Sequence, residues 1–83
     1  MRFEWDARKA KENLRKHGVC FEEASTAFRD PYAILNFDHE HSDSEDRFVL
    51  YGYSSRGRRL FVSHCYRGHD VARIISARRA SFP

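Results

Sequence analysis

The residues best suited to chemistry lie in the last third of the chain, where a histidine stands close to several arginines. One strand-like segment contains His64, and after a glycine turn the next carries Arg73 and ends at Arg78 and Arg79. Histidine exchanges protons near neutral pH, and arginine stays charged and binds phosphate through a rigid fork of donors. A surface that brings them together can hold a phosphodiester and transfer protons on it.

Three strand-like segments and two turns predict how these residues meet. The segments span 47–55, 58–66 and 70–77 and follow the period of a strand. The connections Arg56-Gly57 and Gly68-His69 are each predicted as two-residue hairpin turns, the second with glycine first. The three segments are therefore predicted to form an antiparallel meander.

This register predicts that His64 lies opposite Arg73, with the two Cβ atoms roughly 5 Å apart, and that Tyr51 is diagonal to His64. The other face, which includes Leu50, Phe61 and Ile74, carries no charge and is predicted to pack on helices. A slip of one residue would exchange the faces and bury Arg73. From the pattern alone, a partly buried histidine shielded by Arg73 is the favoured interpretation, and a catalytic pair is the alternative.

The N-terminal half is predicted to supply the helices. Asp6 suits a helix N-cap, Gly18 suits a left-handed stop, and Asp30-Pro31 ends a second, short helix. In chain order we expect a strand at 2–5, a helix from Ala7 to His17, a helix that includes Phe21 and Phe28, a strand from Tyr32 to Asp38, and a polar loop from His39 to Asp46. The predicted fold is a single α+β domain over residues 1–83, in which two N-terminal helices pack on an antiparallel sheet meander.

Charge is distributed unevenly along the chain. The net charge is +3, yet residues 56–79 contain seven arginines and one acid, and residues 38–46 contain five acids and no lysine or arginine. The basic region suits a nucleic acid, and the acidic loop suits a basic or regulatory partner. A solvated surface of mixed charge explains the pattern equally well.

Composition narrows the class of protein. Hydrophobic residues make up 41% of the chain and aromatic residues 14%, which is enough for a compact fold. No signal segment or membrane-spanning run is present, and Cys20 and Cys65 match no metal spacing. We therefore expect reduced thiols, a cytoplasmic location and no association with a membrane.

A second group of candidate ligands lies in the acidic loop. His39 and His41, together with Asp38 and Asp43, would approach one metal ion if alternate residues pointed the same way. No fourth ligand is fixed by the spacing. We therefore assign neither a metal nor another cofactor.

Several strings along the chain resemble the BrnT family of toxins. They are Phe3-Glu4-Trp5-Asp6, Asn13-Leu14-Arg15-Lys16-His17-Gly18-Val19, Glu45-Asp46-Arg47-Phe48-Val49 and Arg73-Ile74-Ile75-Ser76-Ala77-Arg78-Arg79-Ala80. The resemblance covers nearly the whole chain. Members of the family commonly continue into a charged helix, whereas Ser81-Phe82-Pro83 follow here.

The resemblance implies a RelE-like fold and a function as an endoribonuclease toxin. It implies a metal-independent enzyme that cleaves RNA and blocks translation, and a BrnA-type antitoxin that neutralises it. Operator DNA would be bound only through the antitoxin complex, with a dimer or a heterotetramer as the expected assembly. A non-catalytic antitoxin-binding module that contributes to operon autorepression is the alternative function.

The same resemblance places Arg47, His64, Arg73 and Arg78 on polar motif positions. We expect His64 to act as general base or acid, and Arg73 and Arg78 to bind the scissile phosphate. Tyr51 is a candidate proton donor or stacking surface. The expected RNA-binding residues are Arg47, Arg56, Arg58, Lys9 and Arg79. Attack by the 2′-OH would leave a 2′,3′-cyclic phosphate and a 5′-hydroxyl.

Overall fold

The first helix, α1 (Ala7–His17), begins and ends at the predicted capping residues. The Asp6 carboxylate accepts a hydrogen bond from the Arg8 N–H at 3.2 Å. Gly18 has φ of 69° and donates its N–H to the Leu14 carbonyl oxygen at 2.9 Å. These capping predictions are confirmed in the computed structural model, which describes residues 1–80 of the chain. The predicted departure from the family pattern at residues 81–83 lies outside the described residues.

A buried asparagine fastens α1 to the sheet. The Asn13 amide donates to the carbonyl oxygens of Val19 and Ala77 at 2.9 and 2.8 Å, and its oxygen accepts from the Ala77 N–H at 3.0 Å. Leu14, the residue next to Asn13, is 52% exposed. The two hydrogen bonds with Ala77 fix how the helix lies against the last strand, and the bond to Val19 holds the chain just after the helix.

The second helix, α2 (Phe21–Thr26), continues into a 3₁₀ turn at Ala27–Arg29. Its N-cap is Cys20, whose sulfur accepts from the Glu23 N–H at 3.4 Å. Thiol sulfur is a weak acceptor, so this cap is weaker than the usual oxygen cap. In the part of the chain that the structure describes, no helix is long and apolar enough to cross a membrane.

The predicted antiparallel meander of the three C-terminal segments is confirmed, but the sheet as a whole is mixed, so the expectation of an antiparallel sheet is only partly right. The strands are β1 (Arg2–Glu4), β2 (Ile34–Phe37), β3 (Phe48–Tyr53), β4 (Arg59–Arg67) and β5 (Val71–Arg79). They are ordered β1-β5-β4-β3-β2. The pairs β2–β3, β3–β4 and β4–β5 are antiparallel, but β1 pairs in parallel with β5. The α+β class holds, with both helices between β1 and β2.

The first hairpin differs from its predicted register by one residue. Ser54 donates its N–H to Arg58 and accepts from the N–H of Gly57, so three residues form the loop instead of two. Gly57 has φ of 74° and takes the left-handed position that such loops require. As a result Tyr51 pairs with Phe61. Each β4 side chain therefore lies on the face opposite to the predicted one.

The second hairpin contains both a longer loop and a bulge. Arg67 pairs with Val71, which leaves three residues in the loop, and Gly68 has the positive φ expected of it (67°). Farther along, Ser63 pairs with Ser76 but the next residue of β4 pairs with Ile74. Ile75 is thus an extra residue in β5, and its bulge changes the alternation of that strand.

The core lies between the helices and one face of the sheet. Its buried members are Val19, Phe21, Ala24, Ala27, Leu50, Leu60, Val62, Ile74 and Ala77. The predicted register turned Phe61 toward the helices and would place its neighbours Leu60 and Val62 on the outer face, but the one-residue slip turns both inward. The same slip turns Phe61 and Ser63 outward, where they form part of the site described next.

A candidate RNA-binding groove on the outer face of the sheet

Aromatic and cationic side chains contact one another on the face turned away from the helices. Phe61 lies between Tyr51 on β3 and Arg78 on β5 in the register of the sheet. The rings of Tyr51 and Phe61 have centroids 5.0 Å apart, and the guanidinium carbon of Arg78 lies 4.7 Å from the Phe61 centroid. Contact with the ring holds the guanidinium by a cation–π interaction. Aromatic faces beside arginine are typical of surfaces that bind single-stranded nucleic acid.

A groove with a volume of about 320 Å³ opens beside this cluster. We call it the outer groove; it is lined by Asp38, His41, Arg47, Val49, Phe61, Ser63, Ile75, Ser76 and Arg78. Strands β3, β4 and β5 form its floor, and the segment between β2 and β3 forms one wall. It brings two arginines, a histidine and two hydroxyls to one surface.

The histidine of the outer groove is paired with a carboxylate. His41 Nδ1 lies 2.9 Å from Asp38 Oδ2, with the Asp38 side chain 19% exposed and that of His41 61% exposed. Burial by itself raises the pKa of the Asp38 carboxyl, but hydrogen bonds from His41 and from the Glu40 N–H outweigh it, so this pKa lies below its usual value. Asp38 is therefore an anion at neutral pH. It engages one ring nitrogen of His41 and leaves Nε2 for proton exchange with a ligand.

Backbone and hydroxyl contacts hold the wall of the groove in place. Asp38 donates its N–H to the Arg47 carbonyl oxygen at 2.8 Å and accepts at Oδ1 from the Glu40 N–H at 3.2 Å. The Ser42 hydroxyl donates to the Asp38 carbonyl oxygen at 2.6 Å and accepts from the Arg47 N–H at 2.9 Å. These bonds join the start and end of the segment, so Asp38, His41 and Arg47 keep their relative positions.

A second, smaller groove continues from the first. It has a volume of about 190 Å³ and lies between α1 and β5. Its lining residues are Lys9, Glu12, Asn13, Lys16, His17, Ile75 and Ser76. Ile75 and Ser76 line both grooves. The β5 bulge at Ile75 therefore stands where the two grooves meet, with arginines on one side and lysines on the other.

His64 is not on this surface, so its predicted pairing with Arg73 is wrong. It is completely buried on the helix side, where its ring contacts Phe28 and Phe48. Nδ1 lies 3.0 Å from the Val62 carbonyl oxygen, which can only accept, and Nε2 lies 3.0 Å from the Tyr66 hydroxyl. Burial lowers the pKa of His64, against a smaller opposite effect of the Val62 carbonyl. A buried, neutral histidine with both ring nitrogens bonded cannot reach a substrate. Of the two interpretations of His64, the structure therefore fits the buried structural histidine and not the catalytic pair.

Arg73 lies on the other side of the sheet from His64. Its register partner on β4 is Cys65, the next residue after His64, and neighbouring residues of a strand point to opposite faces. Arg73 also pairs with Glu4 on β1, and Nη1 lies 2.6 Å from the carboxylate. It is thus tied to the β1 edge and does not line the outer groove.

The other predicted site residues divide into two groups. Arg47 and Arg78 line the outer groove, and Lys9 lines the second groove. Arg58 donates hydrogen bonds from two nitrogens to the buried Glu23 carboxylate, and it also donates to the Gly18 carbonyl oxygen. Arg56 lies 3.6 Å from the Glu23 carboxylate. Arg79 follows Arg78 on β5, opposite Leu60 and outside the grooves. Arg56, Arg58 and Arg79 are therefore not brought to the candidate site.

The sequence pattern presents Asp38 and His41 only as candidate metal ligands. His39–His41 is a 3₁₀ turn and not a strand, so its two imidazoles diverge: the His39 ring packs on Phe37 at 4.7 Å while His41 bonds Asp38. Within residues 1–80, no group of three or more His, Cys, Asp or Glu side chains is arranged to hold a metal ion. The sequence pattern that could have revealed the Asp38–His41 pair is Asp-x-x-His at the end of a strand, because an aspartate that caps a turn there can also reach the histidine.

Comparison with known proteins gives two findings. Residues 5–82 match the sequence profile of a family described as "Ribonuclease toxin, BrnT, of type II toxin-antitoxin system". The crystal structure of the Brucella abortus ribonuclease toxin BrnT superposes with a TM-score of 0.76 at 24% identity, covering 99% of each chain. At this identity the superposition establishes the fold. A search of curated proteins gives no match.

The matched profile defines the class, that of ribonuclease toxins from type II toxin–antitoxin systems, and the shared fold agrees with it. Within that class the chain belongs to the BrnT family, since the match spans almost its whole length. A toxin of this type implies an antitoxin partner.

Proposed function

We propose that this chain is a metal-independent endoribonuclease that uses the outer groove as its active site. It cleaves RNA by attack of a 2′-hydroxyl and blocks translation in the cytoplasm. A BrnA-type antitoxin neutralises it, and the resulting complex represses its own operon. The observation that carries the proposal is the placement of the Asp38–His41 pair beside Arg47 and Arg78 in one groove.

The groups of the groove supply what each step requires. His41 Nε2 removes the proton of the 2′-hydroxyl, and the 2′-oxygen attacks phosphorus. Arg47 and Arg78 bind the phosphate oxygens and stabilise the negative charge that develops on them. The bond to the 5′-oxygen breaks, and that oxygen takes a proton, for which Tyr51 is the candidate donor. The products are a 2′,3′-cyclic phosphate and a 5′-hydroxyl.

The second groove extends the path of the RNA. A strand bound over Phe61 and Arg78 crosses the bulge at Ile75 and meets Lys9 and Lys16 beyond it. Lysines bind phosphates as point charges and confer salt-dependent affinity with no sequence preference. We expect them to raise the affinity for longer RNA and to leave the chemical step unchanged.

The decisive experiment is cleavage of a defined RNA by the purified chain in EDTA, followed by analysis of the product ends. Cleavage that leaves a 2′,3′-cyclic phosphate and a 5′-hydroxyl supports the proposal. Cleavage that requires an added divalent ion, or that leaves a 5′-phosphate, contradicts the mechanism. A folded chain that binds its antitoxin but cleaves no RNA would identify the non-catalytic module instead.

A further inference from the structure

Strand β2 is an open edge of the sheet with an unusual composition. It is the last strand in the order β1-β5-β4-β3-β2, and all four of its residues are exposed. Ile34, Leu35 and Phe37 are 53%, 49% and 39% exposed. Soluble proteins usually protect such an edge with a charge, a proline or a bulge, and β2 contains none of these. At the other edge, β1 is only three residues long and ends in a charged residue on each side.

The backbone hydrogen bonds show which groups of β2 are available. Asp38 donates its N–H to the Arg47 carbonyl oxygen, so that pair is of the hydrogen-bonded kind. Bonded and non-bonded pairs alternate in an antiparallel ladder, which makes Asn36–Val49 and Ile34–Tyr51 the next bonded pairs. The N–H and C=O groups of Leu35 and Phe37 therefore point away from β3. Within residues 1–80, no strand lies beyond them.

We infer that the antitoxin binds this toxin by adding an extended segment to the free edge of β2. Such a segment would pair its backbone with Leu35 and Phe37 and place alternate apolar side chains beside the exposed ones of β2. This inference rests on the toxin–antitoxin assignment of the family and not on the proposed cleavage mechanism.

The charge next to the edge specifies the segment further. The loop that follows β2 carries Glu40, Asp43 and Asp46, all of them exposed. The other two acids of the loop are already paired, Asp38 with His41 and Glu45 with Arg67. A complementary antitoxin segment therefore carries lysine or arginine at the end that lies beside Phe37.

An occupant of this edge also lies next to the outer groove. Ile34 and Asn36 pair with Tyr51 and Val49, so they lie on the groove side of the sheet. The segment that bears Asp38 and His41 begins directly after the strand. A bound antitoxin segment thus blocks the approach of RNA to the groove by occupying the adjacent space.

The first test compares two substitutions at one position. Leu35→Pro removes an outward N–H but no bond to β3, and proline is tolerated at strand edges for that reason. Leu35→Ala removes the same side chain and keeps the N–H, so it is the matched control. We expect antitoxin affinity to be about tenfold weaker for Leu35→Pro than for Leu35→Ala, from loss of a backbone hydrogen bond. Equal affinities, measured calorimetrically on folded proteins, would overturn the inference.

A second test uses the unaltered chain, in case Leu35→Pro does not fold. Amide hydrogen exchange is measured with and without the antitoxin. We expect the amides of Leu35 and Phe37 to become protected on binding, whereas that of Asn36 is already protected in the free toxin. Unchanged exchange at both residues would overturn the inference. Protection that appears in the toxin alone and grows with its concentration would assign the edge to a second copy of this chain and contradict our choice of occupant.

The two proposals fail separately in these experiments. A chain that cleaves no RNA but shows protection of Leu35 and Phe37 in the complex refutes the nuclease mechanism and supports strand addition. A chain that cleaves RNA but binds its antitoxin without protection of these amides supports the nuclease mechanism and refutes strand addition.

Discussion

The two faces of the sheet carry similar polar residues but use them differently. On the helix side, Glu23, Arg58 and His64 are held by other protein groups: Glu23 by Arg58 and by the Ser54 hydroxyl at 2.7 Å, and His64 by Val62 and Tyr66. On the outer side, His41 and Arg78 line an open groove. Burial uses up hydrogen-bonding capacity because an unpaired buried group is costly. The face that we propose as functional therefore differs from the structural face in how accessible its polar groups are, and not in which residue types it carries.

The largest expected effect is on stability, on the helix side. The Glu23 side chain is only 3% exposed and pairs with Arg58, which lowers the pKa of Glu23 despite its burial. Glu23→Ala leaves Arg58 without its carboxylate partner and should lower the free energy of unfolding by about 3 kcal/mol. The matched control is Glu22→Ala, which alters the exposed neighbouring acid and should change stability by less than about 0.5 kcal/mol. Urea unfolding measures the free energy of unfolding of both variants. Equal effects would contradict a structural role for the buried Glu23–Arg58 pair.

The next effect is on catalysis, on the outer side. His41→Ala should lower the rate of RNA cleavage at least ~10²-fold, because it removes the proposed general base, while the unfolding midpoint stays near that of the wild type. His39→Ala is the control, since His39 belongs to the same 3₁₀ turn but packs on Phe37. Single-turnover cleavage assays compare the two variants. Equal rates for both variants would remove His41 from the mechanism.

Two adjacent arginines sharpen the comparison within one strand. Arg78 lines the outer groove and Arg79 does not. Arg78→Ala should lower kcat/KM roughly tenfold to a hundredfold through loss of charged hydrogen bonds to phosphate, whereas Arg79→Ala should have a much smaller effect. Steady-state kinetics at fixed salt test this. A larger loss for Arg79→Ala would mean that the RNA follows a different path.

The smallest expected effect is a pH dependence from the helix side. Because the pKa of His64 is lowered in the folded protein, the unfolded chain binds the proton first as the pH falls below 6.5. Stability is therefore full above that pH and decreases below it, by no more than about 1.4 kcal/mol per pH unit. Thermal unfolding between pH 5 and 7 should show this slope, and His64→Gln should flatten it. An identical slope in the variant would assign the effect to other groups.

Local features of this fold were predictable from sequence, and its long-range pairing was not. Asp6 and Gly18 cap α1 as expected because a cap depends on a few neighbouring residues. The sheet register depended on Gly57 acting as the third loop residue and on the extra residue Ile75 in β5, and neither leaves a clear sequence signal. Because strand side chains alternate, one missed residue moved His64 from the predicted surface to the core.

The candidate site was likewise predictable only in part from the sequence. Arg47 and Arg78 were found from their residue type and from the family resemblance, and both line the outer groove. The pairing of Asp38 with His41 was missed because it depends on a 3₁₀ turn, which the sequence presented only as a polar loop. Short capped turns of this kind bring together residues that strand periodicity would separate.

The most direct test of the account compares two histidines, one on each face. RNA cleavage in EDTA is measured for His41→Gln and His64→Gln, with each rate divided by the folded fraction of the variant. We predict that His41→Gln lowers the rate at least ~10²-fold and that His64→Gln stays within about threefold of the wild type. The reverse result, with activity lost at His64 and kept at His41, would contradict the placement of the active site in the outer groove.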